Sequence, residues 1–157
     1  EPGAEGGLEE STDADGWPPT IEFATDETPV GPAGGLFELL DGEITVKVAA
    51  GVFPISTKIT VQRSLISVGG VDLVGYIWGR HGMPLRPPNR LVIRVPTEWL
   101  HPATSVETVR LYTVGETSGV PGNISTKPAQ LNEDGTVSIF GSQDSFEALV
   151  IGSQSVF

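Results

Sequence analysis

Apolar and polar residues alternate in short runs along most of the chain, and glycine or proline breaks nearly every run. Thr20–Ala24 (TIEFA) places Ile21 and Phe23 on one face and predicts a short strand. Thr28–Gly35 (TPVGPAGG) reads as a linker. Leu36–Leu40 is a second apolar run, closed by Asp41-Gly42, whose tolerance of positive φ predicts a hairpin. Glu43–Ala49 and Lys58–Arg63 alternate cleanly, and Val71–Trp78 predicts a strand with a bulge at Gly75. Gly79–Asn89, with three prolines, reads as a loop before the strand Leu91–Val95, and Glu98–His101 as one helical turn. Val109–Val114, Thr136–Phe140 (after the Asp134-Gly135 turn) and Phe146–Ile151 complete about nine strands.

So many short strands with almost no helical periodicity predict an all-β fold, and two packed sheets are the economical way to bury the inward faces. The expected architecture is a two-sheet β-sandwich whose core includes Ile44, Val46, Val48, Ile59, Val61, Leu91, Ile93, Val95, Val137 and Ile139. Composition agrees: Gly and Pro make up 33 of the 157 residues, and Val, Ile and Thr another 41, a mixture suited to strands and turns rather than helices. No stretch of eighteen apolar residues occurs, so no membrane insertion by a helix is expected. Cysteine is absent, which excludes disulfides, thiolate metal sites and a cysteine nucleophile.

Charge divides the chain. Residues 1–46 hold twelve acids and no base, whereas residues 47–157 hold nine bases and eight acids. An acidic arm, residues 1–28, thus precedes the sandwich of residues 29–157. Residues 1–16 contain one large apolar side chain, Leu8, too little to offset the entropy of ordering an isolated segment. The arm ends at Trp17-Pro18-Pro19, so the strand at residues 20–24 can separate from the body and be donated to another copy. Ile21 and Phe23 would be its apolar knobs. Arg80, Arg86, Arg90 and Arg94 form a local basic run able to receive an acidic arm. The net charge of -11 disfavours nucleic acid as a partner.

VGPAGGLFELLDGEITVKVAAGVFPISTKITV, PLRPPNRLVIRVP and DGTVSIFGSQDSFEALVIG together span roughly residues 30–151. In their order of turns and strands they resemble a ZU5-like domain: a Gly-Gly strand, an Asp-Gly hairpin, two alternating strands about an Ala-Gly turn, a strand preceded by prolines, and a closing hairpin. The resemblance implies a β-sandwich used as a building or interaction module of extracellular proteins. Ala49 stands where the family often has proline. Some members cleave themselves at His-Phe-Ser; here Gln143-Asp144-Ser145-Phe146 has no adjacent histidine to activate the hydroxyl, so that activity is not carried over.

Other candidate chemistry is sparse. His81 and His101 lack ligand spacing, and Asp13-Ala14-Asp15-Gly16 begins like a calcium loop but has Ala24 where the twelfth-position glutamate belongs. Nucleophile-elbow, phosphate-loop and dinucleotide motifs are absent, so neither an enzyme nor a cofactor is expected. Tyr76 and Trp78 share a strand face and could stack on a sugar ring. Asn123-Ile124-Ser125 is a glycosylation sequon. The start at Glu1 in a polar stretch, three lysines and abundant Thr and Gly suit a mature secreted or cell-surface protein. The expected function is a self-assembling structural subunit of a surface fibre, joined through its arm to other copies of itself. A carbohydrate-binding or adhesion module, with a surface glycan as partner, is the alternative.

Overall fold

The structure is a computed structural model and describes residues 17–80, 83–114 and 121–157. The chain folds into two antiparallel sheets packed face to face. One sheet has six strands in the order β1 (Ala24–Val30), β4 (Thr57–Val68), β5 (Val71–Trp78), β11 (Ala148–Gly152), β7 (Arg110–Val114) and β8 (Gly122–Asn123). The other has five, in the order β2 (Gly35–Leu39), β3 (Ile44–Val48), β6 (Pro84–Pro96), β10 (Thr136–Ser145) and β9 (Gln130–Leu131). The described residues contain one 3-10 turn, Thr97–Trp99, close to the expected helical turn.

Period-two alternation decides the core. All ten expected core residues are buried, and Trp78, Tyr76, Phe53, Phe146, Leu85 and Leu111 fill the space between the sheets. The β2–β3 hairpin forms at the expected Asp-Gly, with Leu40, Asp41 and Gly42 all at positive φ. Asp26 of β1 steadies this turn by accepting a hydrogen bond from the Leu40 backbone N–H at 2.6 Å.

Four expectations need correction. The N-terminal strand forms at Ala24–Val30, not Thr20–Ala24, and lies in register against β4 from Ala24↔Arg63 to Val30↔Thr57. Its polar TDETP sequence suits an edge strand with a single ladder, and Pro29 is tolerated there because an edge leaves half its N–H groups without a strand partner. The proline-rich segment is the beginning of β6 rather than a loop. β3 pairs with β6 only from Arg90 to Ile93, and the β10 register shifts between Gln143 and Ser145, so Pro87 and Pro88 fall where the ladder is interrupted, while Pro84, opposite Ser145, is the first residue of the strand. Gly75 makes no bulge: the β4–β5 register is continuous from Val61↔Trp78 to Val68↔Val71. Its lack of a side chain serves close approach instead, since a Cβ would stand 2.5 Å from both Ile66 Cδ1 and the Leu149 carbonyl oxygen. Finally, β4 and β10 run on beyond the expected Arg63 and Phe140, to Val68 and Ser145.

One side of the sandwich is closed by the chain itself. After β8 pairs with β7, the Ile124 N–H donates to the Leu111 carbonyl, and the Ser142 N–H donates to the Ile124 carbonyl. Ser125 bridges to Gly141 of β10, so residues 122–126 cross from one sheet to the other. The outer strands β1 and β2 flank the opposite side.

Candidate functional site

Positions that alternate away from the core make the outer face of the five-stranded sheet, and strand register sorts them into rows. Leu36 lies beside Lys47, Lys47 beside Arg90, and Arg90 beside Ser142. The next row is Glu38, Thr45, Val92 and Phe140, and beyond it lie Arg94 and Ser138.

Two grooves divide this face. One, of about 340 Å3, is lined by Leu36, Lys47, Arg90, Val92, Lys127 and Phe140, among others. The Lys127 ammonium stands 4.2 Å from the centroid of the Phe140 ring, a cation–π contact that holds it over the sheet. Lys47 and Arg90 are direct cross-strand neighbours of like charge, an arrangement that costs stability. Neither these two nor Lys127 has a carboxylate within ion-pair distance among the described residues. Leu36, 70% exposed, supplies an apolar wall.

The second groove, of about 660 Å3, lies toward the Pro96 end of β6 and is lined by Glu38, Asp41, Glu43, Arg94, Asp134 and Thr136, among others. Arg94 is neutralised there, pairing with Asp134 and donating to the Thr136 hydroxyl at 3.0 Å. The Asp134 carboxyl is held below its ordinary range, first by the Thr136 hydroxyl and backbone N–H, then by Arg94.

The expected basic run is therefore not one patch. Arg86, Arg90 and Arg94 all point outward along β6; Arg94 is paired, and Arg80 is exposed beyond the end of β5 in the other sheet. The run meets Lys47 and Lys127 instead, both missed from sequence because only strand register brings them beside Arg90.

Tyr76 and Trp78 do share a face, but it is the inner one. Their side chains are buried, so neither offers a ring to a sugar. Trp78 packs on Phe146 at 5.2 Å between ring centroids. The Tyr76 hydroxyl donates to Glu43, which also pairs with Arg63. Arg63 in turn lies 4.9 Å from the centroid of the Trp99 ring and donates to the Glu22 carbonyl.

Ile21 packs partly against the core, whereas Phe23 is 66% exposed. Trp17 is buried, its indole N–H donating to the Asp72 carbonyl at 2.8 Å and its ring set edge-on to His101. His81 and the Asp13–Gly16 segment lie outside the described residues. Among the described residues, no three His, Cys, Asp or Glu side chains stand close enough to share a metal ion, and no helix is long and apolar enough to cross a membrane. Asn123 of the sequon is exposed on β8.

No protein-family model matches the chain, and no curated protein matches it.

Proposed function

We propose that the chain is a non-enzymatic structural module that associates head-to-tail with further copies of itself, outside the cell or on its surface. The observation that carries this reading is the Lys47–Arg90 pair: two like charges side by side on an exposed sheet face, with an apolar wall beside them and no carboxylate among the described residues to balance them. Such a face gains most from an anionic partner, because the repulsion it removes adds to the new attraction. The chain itself supplies acidic surface in excess. A contact between two different surfaces of the same molecule propagates unless its rotation closes a ring, so it builds a filament. The likeness to ZU5-like domains supports a building role on extracellular proteins.

Sedimentation velocity of the full chain across a concentration series, with electron microscopy of the same samples, tests this. Concentration-dependent growth into rods or fibres is the expected result; a monomer at every concentration and at low salt overturns it.

The same cations, with Phe140 beside them, also fit an acidic glycan, and a glycan array that retains the protein on uronic or sulfated sugars would favour that reading.

A further inference from the structure

We infer that the groove formed by Lys47, Arg90, Lys127, Phe140 and Leu36 receives residues 1–16 of a second copy of this chain. The inference rests on the self-assembly reading and names its two contacting parts. The acidic partner is a specific segment: EPGAEGGLEESTDADG carries six carboxylates and no base, and lies outside the described residues. Its single large apolar side chain, Leu8, has acids at Glu5, Glu9 and Glu10 around it. That pattern complements a groove with three cations about an apolar wall of Leu36 and an aromatic floor of Phe140.

The layout of charge explains why the receiving groove belongs to another copy. The described chain begins at Trp17, anchored to Asp72 beside the β4–β5 turn and to His101 just beyond the end of β6. From there, the way onto its own outer sheet face leads first past the groove lined by Glu38, Asp41, Glu43 and Asp134. Arg94, the basic residue lining that groove, is already paired with Asp134. Asp13 and Asp15, the arm residues nearest Trp17, would lie against those carboxylates at a cost. The cationic groove is one row further along, where β3 and β6 pair through Lys47↔Arg90. An arm from a second copy can come to it from the opposite end of the sheet, where the single acid Asp144 lies beside Arg86 in place of four carboxylates.

Lys47→Glu is the informative substitution, because it acts oppositely on fold and on docking. It turns a repulsive cross-strand pair into an attractive one, so the melting temperature stays level or rises, while the pair's charge falls from two positive to zero. In the full chain at low salt, we expect association by sedimentation velocity to weaken at least ten-fold. Lys58→Glu changes the net charge equally on the other sheet and leaves association as in the wild type. Reversing the arm (Glu5, Glu9, Glu10 and Asp13 to Lys) weakens association alone and restores it when mixed with the Lys47→Glu/Arg90→Glu protein.

If the wild type assembles and Lys47→Glu assembles equally well, the groove inference falls and the self-assembly reading stands. If the groove substitution abolishes assembly but arm reversal does not, the occupant is another acidic surface and the inference falls. If the wild type stays monomeric, and deleting residues 1–16 shifts the NMR signals of Lys47, Arg90 and Lys127, the arm occupies its own groove. That result overturns both readings. Capture on acidic glycans with full retention by the arm-deleted chain also overturns the inference.

Discussion

The Tyr76 hydroxyl, fixed in the six-stranded sheet, donates at 2.5 Å to the Glu43 carboxylate, which belongs to the hairpin of the five-stranded sheet. Arg63, paired with Tyr76 across β4 and β5, holds the other carboxylate oxygen. The three side chains clamp the sheets together at one point. Tyr76→Phe should cost about 1.5–3 kcal/mol, the usual worth of a hydrogen bond to a charged group. Glu43→Gln should cost at least as much, about 3 kcal/mol, because it leaves the largely buried Arg63 guanidinium without its counter-charge. Urea unfolding of each variant measures both.

The same clamp predicts an alkaline limit. Burial, then the charge and hydrogen bond of Glu43, hold the Tyr76 pKa well above its ordinary value, with Arg63 acting in the opposite direction. An unfolded tyrosine gives up its proton from about pH 10, whereas the folded one retains it. The contribution of Tyr76 to stability is therefore complete below about pH 10 and lost as pH rises through the folded pKa. Denaturation midpoints taken from pH 8 to 12 should fall in the wild type and fall less steeply in Tyr76→Phe.

Gly75→Ala should be severe. Its Cβ would stand 2.5 Å from the Leu149 carbonyl oxygen, and a backbone atom in a paired strand cannot move aside. We expect a loss of about 3 kcal/mol or more, or failure to express as folded protein. Gly51→Ala, where nothing lies within 4 Å but φ is +87°, should cost only about 1 kcal/mol. Thermal unfolding of the two variants side by side gives the comparison.

Asn89 and Gln143 are inward-facing cross-strand neighbours, fully buried, and the Asn89 Oδ1 and Nδ2 and Gln143 Oε1 atoms lack partners among the described residues. Replacing only one with an apolar residue keeps the desolvation cost of the other. Neither amide bonds the other, so Gln143→Leu removes an unpaired oxygen for the loss of one long 3.5 Å bond to the Glu147 carbonyl and should change stability by less than about 1 kcal/mol, whereas Asn89→Val with Gln143→Leu removes all three unpaired atoms and should exceed the wild type by about 1–3 kcal/mol. A double-mutant cycle by urea unfolding reads the coupling directly.

At acid pH the readout is local. Asp134 should titrate below an ordinary carboxylate, and Thr136→Val should raise it by removing the hydroxyl that contributes first to the shift. Any stability that Asp134 supplies is present above the ordinary carboxylate range and lost as pH falls through the lowered pKa. The carboxylate is exposed, so a carbon-detected NMR titration is a better measure than unfolding.

Alternation along the chain was enough to find the two-sheet architecture and the inward residues of β3, β6 and β10, because one buried face per strand leaves a period-two signature. It placed Tyr76 and Trp78 on a common face but could not say that this face is the inner one. The reason is physical: a tyrosine is buried with its hydroxyl only if an acceptor meets it, and that acceptor, Glu43, lies 33 residues away. The arm's strand reads four residues too early in the sequence, and Thr28–Val30 reads as linker, because an edge strand needs neither a second ladder nor a continuous apolar face. Pro87 and Pro88 of β6 mislead for a similar reason, since they fall where pairing is already broken, and Pro84 because a strand's first residue tolerates proline. The groove was half legible. Alternation turns Lys47 and Arg90 outward, but only the β3–β6 register makes them neighbours.

In the proposed filament, Trp17 would give the chain a mechanical stop. In a filament joined through residues 1–16, tension on one copy reaches this buried indole before any strand. Behind it, β1 is registered on β4 from opposite Arg63 to opposite Thr57, and a pull along that strand axis would act across its hydrogen bonds. A ladder loaded in shear shares the force among all seven registered residues instead of opening one rung at a time. The polar edge strand, whose last three residues read as linker, would then be the element by which each subunit bears load.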